Sequence, residues 1–428
     1  MTSGLLDPSS TLGRVGKSCP AARLVKLADC VDLLSGFAFK SQEFTNDPHD
    51  VALVKGENVS QGRVLWDISK RWPLEDWRKY EKFQLAAGDV VIAMDRPWVP
   101  AGLKWCFIRD HDPQALLVQR CCRLRVNPRL MDQTFLRCVI GGPGFESYIK
   151  PITTGVNIPH ISGRQILDYS FPLPDLPTQR KIAGILSAYD DLIENNLRRI
   201  KILEEMAQSL YREWFVHFRF PGHESVSLVD SSLGSIPEGW EVKVLGEIAE
   251  FRLGKMLDKE KNKGELMPYL ANVNVRWGRF ELDELREMRF TPDELDSYGL
   301  RGGDIVMCEG GEPGRCAVWN EQTPGMMIQK AIHRIRCREN MNHSFLYQSL
   351  LRLGQGGHLA SLFTGATIKH LPREQLAKVR IVAPPKSLLD AFIKFVRPAE
   401  NQVDVLASKI QTLRRTRDLL LPKLLNPI

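Results

Sequence analysis

The 428-residue chain has no apolar run approaching the roughly 18 residues that a membrane span requires. Its first twenty residues carry no apolar core and no cleavage-like site, so a secretory signal is not expected and the cytoplasm is the expected compartment. Cysteine lacks any pairing pattern. There are nine, with Cys121 and Cys122 adjacent and no Cys-x-x-Cys, which fits neither a disulfide framework nor a zinc site and reads as buried thiols. Catalytic signatures are missing too: no Walker loop, no His-Glu-x-x-His and no Gly-x-Ser-x-Gly. No Asn-Pro-Pro-aromatic or Asp-Pro-Pro-aromatic tetrapeptide is present to hold an exocyclic amine for methyl transfer. The glycines of Val139–Glu146 are interrupted by Pro143, and Asp293, Glu294 and Asp296 lack a nuclease-like lysine at a persuasive spacing. These absences point to a binding protein with no catalytic residues, no metal site and no cofactor of its own.

What is present is a basic, globular composition, with 43% hydrophobic residues, 25% charged residues and a net charge of +7. The length fits two to three domains, and the charge leans toward an anionic partner. The surplus is not spread evenly. Thr178–Phe218 holds six Lys/Arg and six Asp/Glu, so the excess lies elsewhere.

The chain is also written twice, at a period of about 210 to 218 residues. Leu27-x-Asp29 with Gly36 matches Leu245-x-Glu247 with Gly254, and Asn58-Val59-x-x-Gly62-Arg63 matches Asn274-Val275-x-x-Gly278-Arg279. A Gly-Asp turn feeding a β-branched run follows in each copy, Leu85–Met94 over Leu300–Glu309. Last comes the frame Thr-Gly-x-x-Ile-x-His-[Ile/Leu], at Thr154–Ile161 and again at Thr364–Leu371. The expected fold class is α+β: two similar, mixed, largely β modules, each followed by a long helix. The expected boundaries are a leader at 1–20, a first module at 21–176, a central helix at 177–218, a linker at 219–235, a second module at 236–386, and a C-terminal helix and tail at 387–428.

The helical stretches carry a heptad. Ile182, Tyr189, Asn196, Leu203 and Leu210 recur at one phase, with Leu186, Ile193 and Ile200 at the other. Moved by 210 residues, the same seam reappears as Phe392, Leu406, Leu413 and Leu420 with Val396, Val403 and Ile410. Two such helices, each about 60 Å long, are expected to pair as an antiparallel coiled coil that holds the modules apart around a pseudo-twofold axis.

Pro172–Gly222, Ile236–Phe251 and Val91–Lys104 resemble the specificity subunit of Type I restriction-modification systems, and the resemblance runs from about Arg23 to Leu425. It implies two target-recognition domains reading the halves of a split DNA site, held apart by the helix pair. It further implies a subunit without catalytic activity that gathers two modification subunits, with restriction subunits as possible additions. Those modification subunits would bind S-adenosylmethionine and methylate adenine at N6. The second copy departs from the pattern by lacking the glutamine found at Gln179. A Type II specificity subunit serving a fused nuclease-methylase partner, and a coiled-coil assembly scaffold, are the alternatives.

DNA reading needs cations and amides on phosphates and a few side chains at base edges, all of them exposed. The candidates are Arg63, Lys70, Arg71, Arg96, Lys104, Arg120 and Arg123 in the first module. In the second they are Lys255, Arg276, Arg279, Arg315, Lys330 and Lys369. The stretch Arg71–Tyr80, where aromatics alternate with basic residues, suits either base stacking or a half-buried core. The frame that carries Thr154-Gly155 and His160, and again Thr364-Gly365 and His370, suits junction packing or a phosphate contact. Half-sites about one helical turn, or 34 Å, apart are expected, separated by unread bases.

Overall fold

The computed structural model describes residues 23–99, 102–153, 159–258, 262–282, 285–339 and 341–425. The leader at 1–20 and the pair Thr154-Gly155 of the first frame lie outside that set. The chain forms two compact units, one from residues up to 195 together with 410 onward, the other from 196–409. Each unit holds one module and parts of both long helices, Leu176–Phe215 and Lys386–Leu425.

The main sheet repeats strand for strand. In the first unit Trp105–Phe107, Val90–Ala93, Cys121–Val126 and Val31–Ser35 form an antiparallel sheet in that order. In the second unit Cys316–Val318, Ile305–Cys308, Ile332–Cys337 and Ala249–Leu253 do the same. A smaller mixed sheet follows in each, with Ala115–Leu117 parallel to Val51–Val54 and Met327–Ile328 parallel to Glu265–Leu270. Both modules are closed by a pair made of their first and last strands, Arg23–Lys26 with Ser170–Leu173 and Glu241–Val244 with Arg380–Ala383.

The Gly-Asp turn explains its own recurrence. Gly88 and Gly303 turn at φ 88° and 87°, a region L side chains seldom adopt. The buried carboxylates of Asp89 and Asp304 then each accept a backbone N–H, from Ala86 and Arg301, both at 2.8 Å. Arg125 donates twice to Asp89 at 2.5 and 2.8 Å, and Arg336 twice to Asp304 at 2.7 Å. Each buried acid thus takes three donors, two of them from an arginine, with both oxygens engaged, which is what keeps its burial from being costly. The valine and isoleucine runs after it are fully buried strands.

None of the fifteen heptad positions proposed for the seam is exposed. In the first unit Ile182, Ala183 and Leu186 share a core with Leu420 and Leu424, and Asp190 accepts from Arg417 at 2.7 Å. Numbers rise along one helix as they fall along the other, so the helices run antiparallel. In the second unit Phe215 and Trp214 pack on Phe392 with ring centres 4.9 and 6.1 Å apart, and Trp214 also meets Phe395 at 5.9 Å.

Module and helix are joined differently in the two units. Gln179 is fully buried: Asp132 donates its N–H to the Gln179 side-chain oxygen, and the side-chain amide donates to the carbonyls of Leu130 and Pro174. This glutamine is therefore an internal clasp rather than a contact for another subunit. Its place in the second copy is taken by Leu389, also buried, which joins the apolar core instead. Two carboxylates one helical turn apart recur as well. Asp190 and Glu194 pair with Arg137 and Arg109 of the first module. Glu400 and Asp404, 210 residues later, instead accept hydrogen bonds from the neutral Ser344 hydroxyl at 2.8 Å and the Asn320 amide at 2.9 and 3.0 Å. Burial accordingly pushes the Glu400 and Asp404 carboxyls above the ordinary carboxylate range.

The stretch expected as a linker at 219–235 is folded. Phe220 is buried in the second unit's core, and Leu228–Ser231 pairs with Gly234–Pro237 as a hairpin turning at Gly234, φ 97°. Glycine, serine and proline mark turns as readily as linkers, which is why composition alone misread it. Among the described residues no helix is long and apolar enough to cross a membrane. The described cysteines carry free thiols, all buried except the half-buried Cys337. Burial raises Cys122 to about 12.

Candidate nucleic-acid interface

In each module several strand ends converge on one rim, held by backbone hydrogen bonds. In the first, Gln119 N–H donates to Phe37, Met94 N–H to Arg120, Ile161 N–H to Met94 and Arg96 N–H to Pro159, at 2.7 to 2.9 Å. In the second, Lys330 N–H donates to Lys255, Glu309 N–H to Ala331 and Leu371 N–H to Glu309, at 2.8 to 2.9 Å. The repeated histidine closes each rim. His160 Nδ1 bonds to Asp95, whose other oxygen takes Arg120 at 3.2 Å, and His370 Nδ1 bonds to Glu309 at 3.0 Å. Sequence reasoning found both histidines and neither carboxylate.

This rim gathers part of the expected cation set. Arg96 and Arg120 are exposed on it, as are Lys330 and Lys369. Both arginines sit in the left-handed region, at φ 45° and 67°, where a non-glycine residue is uncommon and costs about 1 kcal/mol or more. The residue aligned with Arg96 in the second module is Gly311, at φ 82°. One fold position thus asks for a left-handed backbone in both copies, and the first copy fills it with arginine.

Four candidates do not meet the requirement of exposure. Arg123 is buried and reaches Asp32 at 3.5 Å. Lys255 is buried, donating to Glu294 at 2.6 Å and to the Arg289 carbonyl at 2.9 Å. Arg315 is buried against Glu312 and the Asn272 carbonyl, where it ties down the loop at Glu312. Lys104 is half-buried with its ammonium on the Gly56 carbonyl, and burial lowers its pKa. Each is a cation spent inside its own module, because a buried charge must find partners there.

The remaining candidates stand away from the rim's hydrogen-bond network. Arg71 donates to the Asp50 carbonyl at 2.7 Å, and Lys70 reaches Asn46 at 3.5 Å. Arg276 is bidentate on Glu281 at 3.0 and 2.8 Å. Arg63 and Arg279 are exposed on matching hairpins; burial raises the Glu204 carboxyl of the first long helix, and the nearby Arg279 offsets part of that rise. The aromatic stretch Arg71–Tyr80 is core: Trp72 and Tyr80 are buried around Phe39 at ring distances of 4.8 Å.

A repeated α+β module with a loop rim, set on antiparallel helices, defines a two-module recognition protein. The chain belongs to the Type I restriction modification DNA specificity domain family, whose model matches residues 23–205 and 237–413. It is 28% identical over 293 residues to the Type I restriction enzyme MjaIX specificity subunit of Methanocaldococcus jannaschii, a match covering 65% of each protein. It therefore spans just under two thirds of that relative's length. It is 21% identical over 454 residues to the Type I restriction enzyme HindI specificity subunit of Haemophilus influenzae, covering 90% of this chain and 95% of that one. The fold is that of the Type I restriction-modification S subunit from M. genitalium: TM-score 0.54, 16% identity, 96% of this chain and 98% of that chain.

Proposed function

We propose that this chain is the DNA-reading subunit of a Type I restriction-modification complex. Each module addresses one half of a split duplex site through its rim, with Arg96 and Arg120 on the first and Lys330 and Lys369 on the second. The observation that carries this is Arg96, exposed and held left-handed where the second module has a glycine. Backbone strain without a gain in packing suggests a side chain needed outside the molecule. The chain itself is non-catalytic, works in the cytoplasm and carries no cofactor.

Methyl transfer to adenine N6 would belong to two modification subunits, which hold S-adenosylmethionine; restriction subunits complete the partner set. Support for two docking places comes from the outer faces of the helices. Ile185 of the first unit and Phe395 of the second occupy the same position in the repeat and are 37% and 65% exposed. Leu192 at 51% extends the first patch, and Met206 and Ile202, at 60% and 48%, lie on the second unit's part of the same helix. Exposed apolar residues at heptad spacing suit a partner helix.

The test is Arg96→Gly in the assembled complex, on a duplex carrying the site mapped from methylated adenines. Affinity for a duplex with an intact first half-site should fall about tenfold while thermal stability holds or rises. Unchanged affinity at moderate salt would remove the rim from consideration.

A further inference from the structure

The frame at 364–371 folds into a tight hairpin. Thr364 and His370 exchange both backbone hydrogen bonds at 2.9 Å, and Gly365 turns at φ 90°, where a Cβ would lie 2.2 Å from the Ile368 carbonyl oxygen. Residues 364–370 are all exposed, and Ile368 projects with 61% of its surface in water beside Lys369.

The hairpin is braced at its base. Leu371 N–H donates to the Glu309 carbonyl at 2.8 Å, and the Glu309 carboxylate holds His370 Nδ1 at 3.0 Å. The first module has the same two contacts, from Ile161 N–H to the Met94 carbonyl at 2.9 Å and from Asp95 to His160. Yet Glu309 aligns with Met94, and Asp95 with Gly310. The acid comes from neighbouring positions in the two copies, so what they share is the carboxylate–imidazole pair rather than the residue that supplies it. The frame also repeats its isoleucine, as Ile158, which lies outside the described residues.

Ile368 is not the rim's one exposed apolar side chain. Met256, Leu257 and Val273 are 53%, 56% and 56% exposed on adjoining loops. Those loops are tied to the same rim: Lys255 N–H donates to Ile328 at 3.0 Å, and the Asn272 side-chain amide donates to Gly310 at 3.2 Å. One exposed apolar side chain needs no explanation, but several on adjoining loops among exposed lysines mark a contact surface.

Resting on the reading that this rim faces DNA, we infer that the hairpin 364–370 enters a groove and Ile368 wedges against a base step. Lys369 takes the flanking phosphate, and the Glu309–His370 pair sets the angle of entry. Apolar wedges act by partly unstacking a step and bending the duplex, whatever the bases they touch. That explains why the same isoleucine recurs in two modules that otherwise differ: a side chain reading bases would differ with them. Ile368 is a positioning residue, not a catalytic one.

The experiment uses the full chain assembled with its modification subunit and duplexes built from the motif mapped in the host genome. 2-Aminopurine is placed in turn through the second half-site. The parent complex should brighten the probe at one step. Ile368→Ala should abolish that signal and weaken binding about tenfold, and Ile368→Leu should restore both. Glu309→Gln, which keeps an acceptor for His370, should behave like the parent, and Glu309→Ala should lose part of the signal. Full signal and affinity in Ile368→Ala would overturn the wedge. So would loss of co-purification with the modification subunit while DNA binding persists, which would make the tip a protein contact. A parent complex that prefers no duplex over random sequence would instead overturn the DNA reading on which the wedge rests.

Discussion

Asp190 and Glu400 occupy the same position in the repeat, and the structure makes opposite forecasts for the same chemical change at each. Asp190 accepts from Arg137 and, at 2.7 Å, from Arg417. The Arg137 side chain is only 10% exposed and stacks 4.0 Å above the Phe107 ring. Asp190→Asn keeps the shape, removes the charge and turns an N–H₂ toward guanidinium donors, leaving a buried cation unanswered. Breaking a buried pair from one side costs about 3–5 kcal/mol. Since Asp190 and Arg417 keep 25% and 33% of their side chains exposed, water recovers some of this, leaving about 2–4 kcal/mol. At about 2–4 °C per kcal/mol for a unit of this size, the first unit's unfolding should move down by about 5–15 °C. Glu400→Gln keeps the Ser344 hydrogen bond and sheds a charge that burial already disfavours, so it should cost nothing or stabilise. Calorimetry or denaturant titration with a probe in each unit reads both. In an Arg137→Met background the Asp190→Asn cost should shrink, because the unanswered cation is gone. A drop below about 0.5 kcal/mol for Asp190→Asn, or equal losses at the two positions, would refute the reasoning.

Other outcomes follow from the same contacts. The Glu400→Gln advantage should depend on pH. The Glu400 carboxyl is raised by burial and by Asp404, against Ser344 and Arg397, so its charge opposes folding increasingly as pH climbs from the ordinary carboxylate value through the higher folded one. Parent and variant should therefore converge below the ordinary value in pH-resolved unfolding, and a gap that persists there would count against it. Gln179→Ala should destabilise the first unit by about 2–4 kcal/mol, since it orphans a backbone N–H and two carbonyls around a fully buried side chain. Lys330→Ala and Lys369→Ala should each weaken binding alike on matched and mismatched duplexes and reduce the salt slope by about 1, read by titration across salt. Arg315→Ala should lower the second unit's melting temperature, because it frees the Asn272 carbonyl and the loop at Glu312; a loss confined to DNA affinity would contradict its placement.

The sequence and the structure agree where local chemistry decides. The Gly-Asp turn needs a left-handed glycine and a carboxylate one residue on, and both are visible in the letters at Gly88-Asp89 and Gly303-Asp304. The heptad seam is equally visible, because burial along a helix follows spacing. The cations were harder. Arg123 meets Asp32 across 91 residues of chain, Lys255 meets Glu294 across 39, and Arg315 meets Asn272 across 43. Whether a cation is free depends on such distant partners, and no local pattern announces them. The histidine brace was hidden for another reason: its acid shifts by one residue between copies, so aligning Met94 with Glu309 conceals that Asp95 does the same work.

Two rims on one chain should write a split mark on the genome. Methylated adenines mapped in the host, with this chain present and then deleted, test that most directly. The account predicts one class of bipartite motif, two short specified parts around unspecified bases, lost in full on deletion and lost at the first part's specificity when Arg96 is changed. A contiguous motif, or a methylation pattern unaltered by deletion, would contradict it.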